Sequence, residues 1–379
     1  MHPLRELGLA DLRRRTSVKW RTHGDDVLPM FVAEMDVPAA PAVVEAVEKA
    51  VRDGDTGYPS LDPVYAEAWT DLARSRWGLD VPVEQTAPVA DVMTGVAVAI
   101  ETVTSPGDVV VIDPPVYPPF AETIRTTGRS LVEVPLGADG RLDLVELGET
   151  FERAAFGGRS VAYLLCSPHN PGGTVHSADE LATVARLAAE HTVRVVVDEI
   201  HAPLVAEGFV PYLSVVGTDD AYAVVSASKA WNLAGLKSGL LVGGAATGAE
   251  LASLSYLVSH GPSHLGTIAH VAAMTDGRDW LDAVVADIGA NRERLQASLA
   301  RDLPEVGALL GPGTYLGWLD FRAVGLGDDP AEELLASARV ALASGPTFGT
   351  GGAGHARLNY GTTPELLDEG VRRIVDALR

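Results

Sequence analysis

An α/β fold with a mostly parallel sheet, followed by a smaller α+β region, is predicted by three features of this 379-residue chain. First, apolar runs rich in β-branched residues recur through its middle: Val109–Ile112, Ser160–Cys166, Val193–Val197, Ala221–Val225 and Leu240–Gly243. They are continuous rather than alternating, as in strands covered on both faces. Second, helical patterns separate them. In the clearest, Ser177 is an N-cap with Glu180 three residues on, and "ELATVARLAAEH" carries an amphipathic stripe. Third, the texture changes after about residue 276. A long helical stretch, Asp279–Leu303, is followed by a strand-like Tyr315–Phe321, a helix near Pro330–Ala343, a strand-like His355–Gly361 and a terminal helix from Pro364.

Composition narrows the function. Apolar residues make up 47% and charged residues 21%, the balance of a globular protein. A net charge of −22 opposes nucleic acid and anionic membrane surfaces. Cys166 is the single cysteine, so no intramolecular disulfide or Cys-rich zinc site can form, and a reducing compartment is expected. "MHPLRELGLADLRRR" has no apolar core resembling a secretory signal, and Glu101 interrupts the apolar "VAVAIETV". A cytoplasmic protein without a metal is the expectation.

Chemistry concentrates in a few short stretches. In "SASKAWNLAGLKSG", Ser226 and Ser228 flank Lys229 just after a buried-type strand, and Lys237 lies eight residues on. Two hydroxyls and a second cation could hold a phosphate while the Lys229 amine meets an aldehyde. Asp198 closes the strand of "VVVDEIHAPL", where open α/β sheets bind ligands; it would keep a pyridine nitrogen protonated, or cap the following helix. His201 nearby is either a site residue or a packing residue. Asn170 in "CSPHNPGG" serves its own turn or donates to a ring oxygen. Tyr117, in the proline-stiffened "DPPVYPPF", could stack on a flat heterocycle or pack its loop. Backbone amides at Gly95, Val96 and Ala97, if they open a helix, would form an anion site. Arg357 in "GGAGHARLNYG" could grip a carboxylate with its fork or sit on an edge strand.

Taken in order, "TSVKW", "LPMFVAEMDVP", "GYPS", "DPPVYPPF", "SPHNPGG", "VDEIHAPL", "SASKAWNLAGLKSG" and "ARLNYG" span nearly the whole chain. The series resembles the fold-type I pyridoxal-phosphate enzymes of the class I/II aminotransferase superfamily, and within them the MalY/PatB branch of cystathionine or cysteine-S-conjugate β-lyases. The resemblance implies a large domain with a mostly parallel seven-stranded sheet over residues 46–275 and a small α+β domain over 276–379. A segment over 1–45 would pack with the small domain. It implies that Lys229 bonds covalently to the cofactor, Asp198 pairs with its ring nitrogen, Asn170 contacts its hydroxyl, and Tyr117 stacks on it. Ser226, Ser228, Lys237 and the amides of Gly95 and Val96 would hold the phosphate, with His201 beside the ring. Tyr58 would reach the site of a neighbouring subunit in a homodimer with shared active sites. Arg357, with Asp36 and Tyr58, would bind an amino-acid substrate.

The implied reaction is β-elimination, releasing a thiol, pyruvate and ammonia, with Lys229 acting first as nucleophile and then as general base. That requires its pKa to fall toward neutral. Transamination shares every step through loss of the α-proton, and a cofactor-bound regulator with secondary catalysis is a third reading. Departures at Glu34, Thr94, Lys237 and Thr362–Pro364 leave the choice of substrate open.

Overall fold

The computed structural model describes residues 1–60 and 62–379. Its centre is a seven-stranded sheet made of β1 (Thr86–Val89), β2 (Val109–Ile112), β3 (Ser130–Glu133), β4 (Val161–Cys166), β5 (Val193–Asp198), β6 (Tyr222–Val225) and β7 (Gly239–Gly243). The spatial order is β1-β7-β6-β5-β4-β2-β3. Every neighbouring pair is parallel except the two made by β7, which runs against β1 and β6. β2, β4, β6 and β7 are buried along their whole length, which is why their runs are apolar without alternation. One face packs on Leu147, Phe151, Leu181 and Val184, the other on Val96, Ile100, Phe120 and Ile124.

The expected capping box forms. Ser177 Oγ accepts the Glu180 N–H at 3.2 Å and Glu180 Oε2 accepts the Ser177 N–H at 2.8 Å, opening the helix Ala178–His191. Beyond the large sheet, β8 (Gly307–Leu309), β9 (Leu316–Asp320), β10 (Ala343–Ser344) and β11 (His355–Asn359) form an antiparallel sheet in the order β10-β11-β9-β8. It packs with the long helix Arg278–Asp302 and the terminal helix Pro364–Leu378. The helix expected over Pro330–Ala343 is shorter and ends at Ser337. Arg339 adopts a left-handed φ of 54°, and the next residues pair in parallel with Leu28–Pro29 from the N-terminal segment. Long-range pairing there overrides local helix preference. Among the described residues no helix is long and apolar enough to cross a membrane.

Two carboxyls sit beneath the sheet's carboxyl edge with neutral partners. Asp113 is 2% exposed, accepts the Tyr163 hydroxyl at 2.5 Å and is pushed up to about 7 by burial. Glu199 accepts the Tyr212 N–H at 2.7 Å and is pushed up to about 8, by burial first and by the Asp198 charge after it. A raised carboxyl pKa favours the protonated folded state, so this stability drains as pH climbs through the folded values. Buried His169, His176 and His270, held down near 4, act oppositely, but only below their ordinary value of 6.5. Thermal stability is therefore expected to fall between about pH 6.5 and 8. In the Asp113→Asn, Glu199→Gln double variant a melting-temperature series should flatten in that window; an unchanged slope would contradict the assignment.

Candidate active site

A cavity of about 150 Å³ opens at the carboxyl edge of β4, β5 and β6, the edge where parallel sheets present ligands. The loop after β6 brings Ser228 and Lys229 to it, the end of β5 brings Asp198, and the turn after β4 brings Asn170. Tyr117 closes one wall from the loop after β2.

The chain has only four lysines, Lys19, Lys49, Lys229 and Lys237. Three are ion-paired, Lys19 to Asp36 at 2.8 Å, Lys49 to Asp53 at 2.5 Å and Lys237 to Asp91 at 2.6 Å. Lys229 has no carboxylate within ion-pair distance among the described residues; its Nζ donates instead to the Ala33 carbonyl at 3.1 Å. Burial, then the Arg357 charge, lowers its pKa to about 8, against an opposing pull from Asp198. The amine thus reaches the protonation balance a nucleophile and base near neutral pH requires.

Around it the acceptors and donors are complementary. Asp198 is 4% exposed, accepts the Ile200 N–H on one oxygen at 3.0 Å, and is raised to about 6 by burial. A protonated ring nitrogen beside it would reverse that cost. Asn170 Oδ1 accepts Arg357 Nη1 at 3.0 Å, which leaves its Nδ2 hydrogens for the cavity. Arg357 also donates from Nη2 to Phe31 O at 2.9 Å, and lies 5.1 Å from the Phe348 ring centroid. Its Nε is buried with no partner among the described residues, and burial lowers its pKa to about 10. Tyr117 stands edge-on to Phe120, and its hydroxyl is shifted upward by burial and then by Asp198. His201 is 2% exposed, its Nδ1 has no partner among the described residues, and burial holds the ring neutral.

The anion end differs from expectation. The helix Val92–Val103 begins three residues before Gly95, with Asp91 as N-cap accepting the Thr94 N–H at 2.8 Å. The Gly95 N–H is spent on Asp91 O at 2.9 Å, and Val96 is 0% exposed in the core, so neither amide is a phosphate donor. Gly95 is needed for packing instead: a Cβ there would meet Val224 Cγ1 at 2.6 Å. The first-turn amides of Val92 and Met93, residues that line the cavity, have no intrahelical acceptor and are the ones a helix start leaves open to an anion. An Asp three residues before Thr94 is the N-cap signal that identifies this start.

Ser228 lines the cavity, and so does Ser238, whose place at the end of the motif carries no signal of its own. Ser226 does not. Its hydroxyl donates to Ser238 O at 2.8 Å and accepts the Ser228 N–H at 3.1 Å, bracing the loop from behind. Lys237 is at the cavity, held to Asp91. Asp36 is not. Its carboxylate is 1% exposed and tied to Lys19 and to Trp20 Nε1 at 3.0 Å, so a substrate role is not available to it. Tyr58 is 92% exposed on its loop and lies off the cavity of its own chain.

An acid, a lysine with no carboxylate partner among the described residues, helix-start amides, a serine and an imidazole nitrogen without a partner, gathered at one cavity, fit pyridoxal phosphate. The Lys229 amine in the cofactor-free protein should react with a small aldehyde, followed by peptide mass spectrometry, with a pH profile that bends near 8. Arg357→Ala should move the bend upward, because a repelling charge and a desolvating neighbour are both removed. A bend above pH 10 in the unmodified chain, or one unmoved by the substitution, would contradict the geometry.

Residues 25–374 match the family model Aminotransferase class I and II. A Mycobacterium leprae protein, named provisionally as a cystathionine beta-lyase, is 48% identical over 100% of this chain and 98% of its own. The cystathionine beta-lyase of Corynebacterium glutamicum is 35% identical, covering 98% of this chain and 99% of that one. Among solved structures, cystalysin from Treponema denticola, which contains a pyridoxal 5'-phosphate cofactor, superimposes with a TM-score of 0.91 at 26% identity over 100% and 99% of the two chains. With its seven-stranded sheet and its open lysine, the chain belongs to the class I and II aminotransferase family, in the fold-type I architecture of pyridoxal-phosphate enzymes.

Proposed function

We propose that this protein is a pyridoxal-phosphate-dependent carbon–sulfur β-lyase that cleaves cystathionine or cysteine S-conjugates to a thiol, pyruvate and ammonia. The observation that carries the reading is Lys229, an amine with no carboxylate partner among the described residues, lowered to about 8 by burial and the Arg357 charge. The full-length relatives named as cystathionine beta-lyases support the choice of reaction.

When bound, the cofactor supplies an electron sink for the α-carbon of an amino acid. Asp198 holds its ring nitrogen protonated, and Asn170 and Tyr117 fix the ring. The amides of Val92 and Met93, with Ser228, Ser238 and Lys237, hold the phosphate. Arg357 takes the substrate carboxylate on its guanidinium, which commits one N–H to Asn170 and one to Phe31 O and keeps the second hydrogen of each terminal nitrogen. With the carboxylate fixed there, the neutral Lys229 amine takes the α-proton onto Nζ. The C–S bond to the β-carbon then breaks, and the sulfur leaves as thiolate with the electron pair. Hydrolysis of the remaining three-carbon unit gives pyruvate and ammonia.

Tyr58 is exposed at 92%, close in sequence to the loop-lined hollow of Pro59, Ser60, Asp62 and Pro63, with Tyr256 and Leu257 also exposed at 68% and 80%. Such aromatic and apolar side chains suit a homodimer in which Tyr58 completes the partner's site. Transamination is the second reading, favoured by the Lys237 cation at the anion end.

Lys229→Ala should cut pyruvate release from cystathionine by at least about a thousandfold while the chain stays folded. Free thiol should appear with pyruvate in the unmodified enzyme. Amino-group exchange with a keto acid, without thiol, would establish transamination instead, and retained lyase turnover in Lys229→Ala would refute the role of the lysine.

A further inference from the structure

Residues 31–37 belong to neither helix nor strand, yet this strap passes directly over Lys229. A chain without a ladder needs other partners for its carbonyls. Here side chains from distant elements supply them. Arg357 reaches Phe31 O at 2.9 Å, and Asn359 Nδ2 reaches Val32 O at 2.6 Å and Glu34 O at 2.7 Å. Asn232 Nδ2 reaches Met35 O at 2.9 Å while its Oδ1 accepts the Met35 N–H at 2.8 Å, from a left-handed backbone at φ 58°.

At Ala33 the arrangement is different. Its carbonyl oxygen takes two donors, Lys229 Nζ at 3.1 Å and the Tyr315 hydroxyl at 2.9 Å. Tyr315 is 0% exposed at the entry to β9, and its hydroxyl bonds no other group among the described residues. One of the two donors is permanent, and the other belongs to an amine with chemistry to do. A protonated lysine has three N–H bonds, and an amine engaged with the cofactor's aldehyde carbon keeps at most one. Ala33 therefore loses its lysine whenever that last N–H is absent or turned to another acceptor.

We propose that Tyr315 is a positioning residue that keeps the Ala33 carbonyl satisfied when Lys229 is engaged, so that the strap stays seated while the amine alternates between bound and free. A buried carbonyl with no donor carries its full desolvation penalty, so the contribution of Tyr315 depends on what Lys229 is doing. In the resting protein, with the lysine amine on Ala33, the hydroxyl is the second donor and its loss is tolerated. With the lysine engaged, it is the only donor. The loaded state rests on the function proposed above; the coupling between the two side chains does not.

The test is a double-mutant cycle on cofactor-free protein, using Tyr315→Phe, Lys229→Ala and both together, read by melting temperature. Loss of both donors should lower the melting temperature by more than the two single losses combined, because only the double variant leaves Ala33 unpaired. In cofactor-loaded protein, Tyr315→Phe should hold pyridoxal phosphate about tenfold more weakly than the unmodified chain, measured by release into buffer followed at the visible absorption band. Tyr222→Phe removes another buried hydroxyl, one bonded to Glu250 at 2.7 Å at the end of β6 away from Lys229, and should leave retention unchanged. Additive melting losses, or tight retention in Tyr315→Phe, would overturn the proposal. If the double variant does not fold, the retention measurement on Tyr315→Phe alone decides. Failure of the unmodified chain to take up the cofactor would count against the proposed function and leave the cofactor-free cycle as the test.

Discussion

Keeping one amine enclosed without a carboxylate partner is the constraint on which the site depends. An ammonium moved out of water is costly, and proteins offset the cost with an ion pair or by releasing the proton. Buried Lys19 takes the first course, while Lys49 and Lys237 keep much of their solvent as well as a carboxylate. Lys229 takes the second: Arg357 adds repulsion to the loss of solvent, and the one nearby acid, Asp198, is itself raised to about 6 and bonded to Ile200. The result is a lysine ready to act as nucleophile or base, at the expense of local stability, a trade common at catalytic sites.

The fold delivers this arrangement from two directions. β5 and β6 place Asp198 and Lys229 from the large sheet, whereas Arg357 arrives on β11 of the small antiparallel sheet, where it pairs in register with Trp318. The strap over residues 31–37 joins them, because its carbonyls are held by Lys229 and Asn232 on one side and by Arg357 and Asn359 on the other. The buried Lys19–Asp36 pair anchors the same segment. Asp36 thus serves the site by fixing the strap, which is why the conspicuous carboxylate that ends the motif "VAEMD" has no free oxygen for a substrate.

Much of this is legible in the residue order. Val109–Ile112 and Leu240–Gly243 read as strands because burial on both faces leaves nothing polar in them, and Ser177 with Glu180 announces its helix through chemistry confined to four residues. Lys229, Asp198, Asn170 and Tyr117 meet at one cavity because each lies at a strand end or in the loop after one. What is lost is whatever depends on distant pairing or on a helix start. The helix near Pro330 stops early because Val340 pairs with Leu28, hundreds of residues away. Gly95 looks like a turn but is an interior helix position pressed on Val224, so the anion end moves to Val92 and Met93. Ser226 and Ser228 are alike in sequence, yet only the loop's path decides that one faces the cavity and the other braces it. Tyr315 carries no local signal at all, since its acceptor is 282 residues away.

The central claim is that one amine out of four is set apart for covalent chemistry. Loading the protein with pyridoxal phosphate, reducing it with borohydride and sequencing the peptides by mass spectrometry tests that claim most directly. The account predicts a single modified peptide carrying the cofactor on Lys229. Modification of Lys19, Lys49 or Lys237 in its place, or of no lysine, would contradict it.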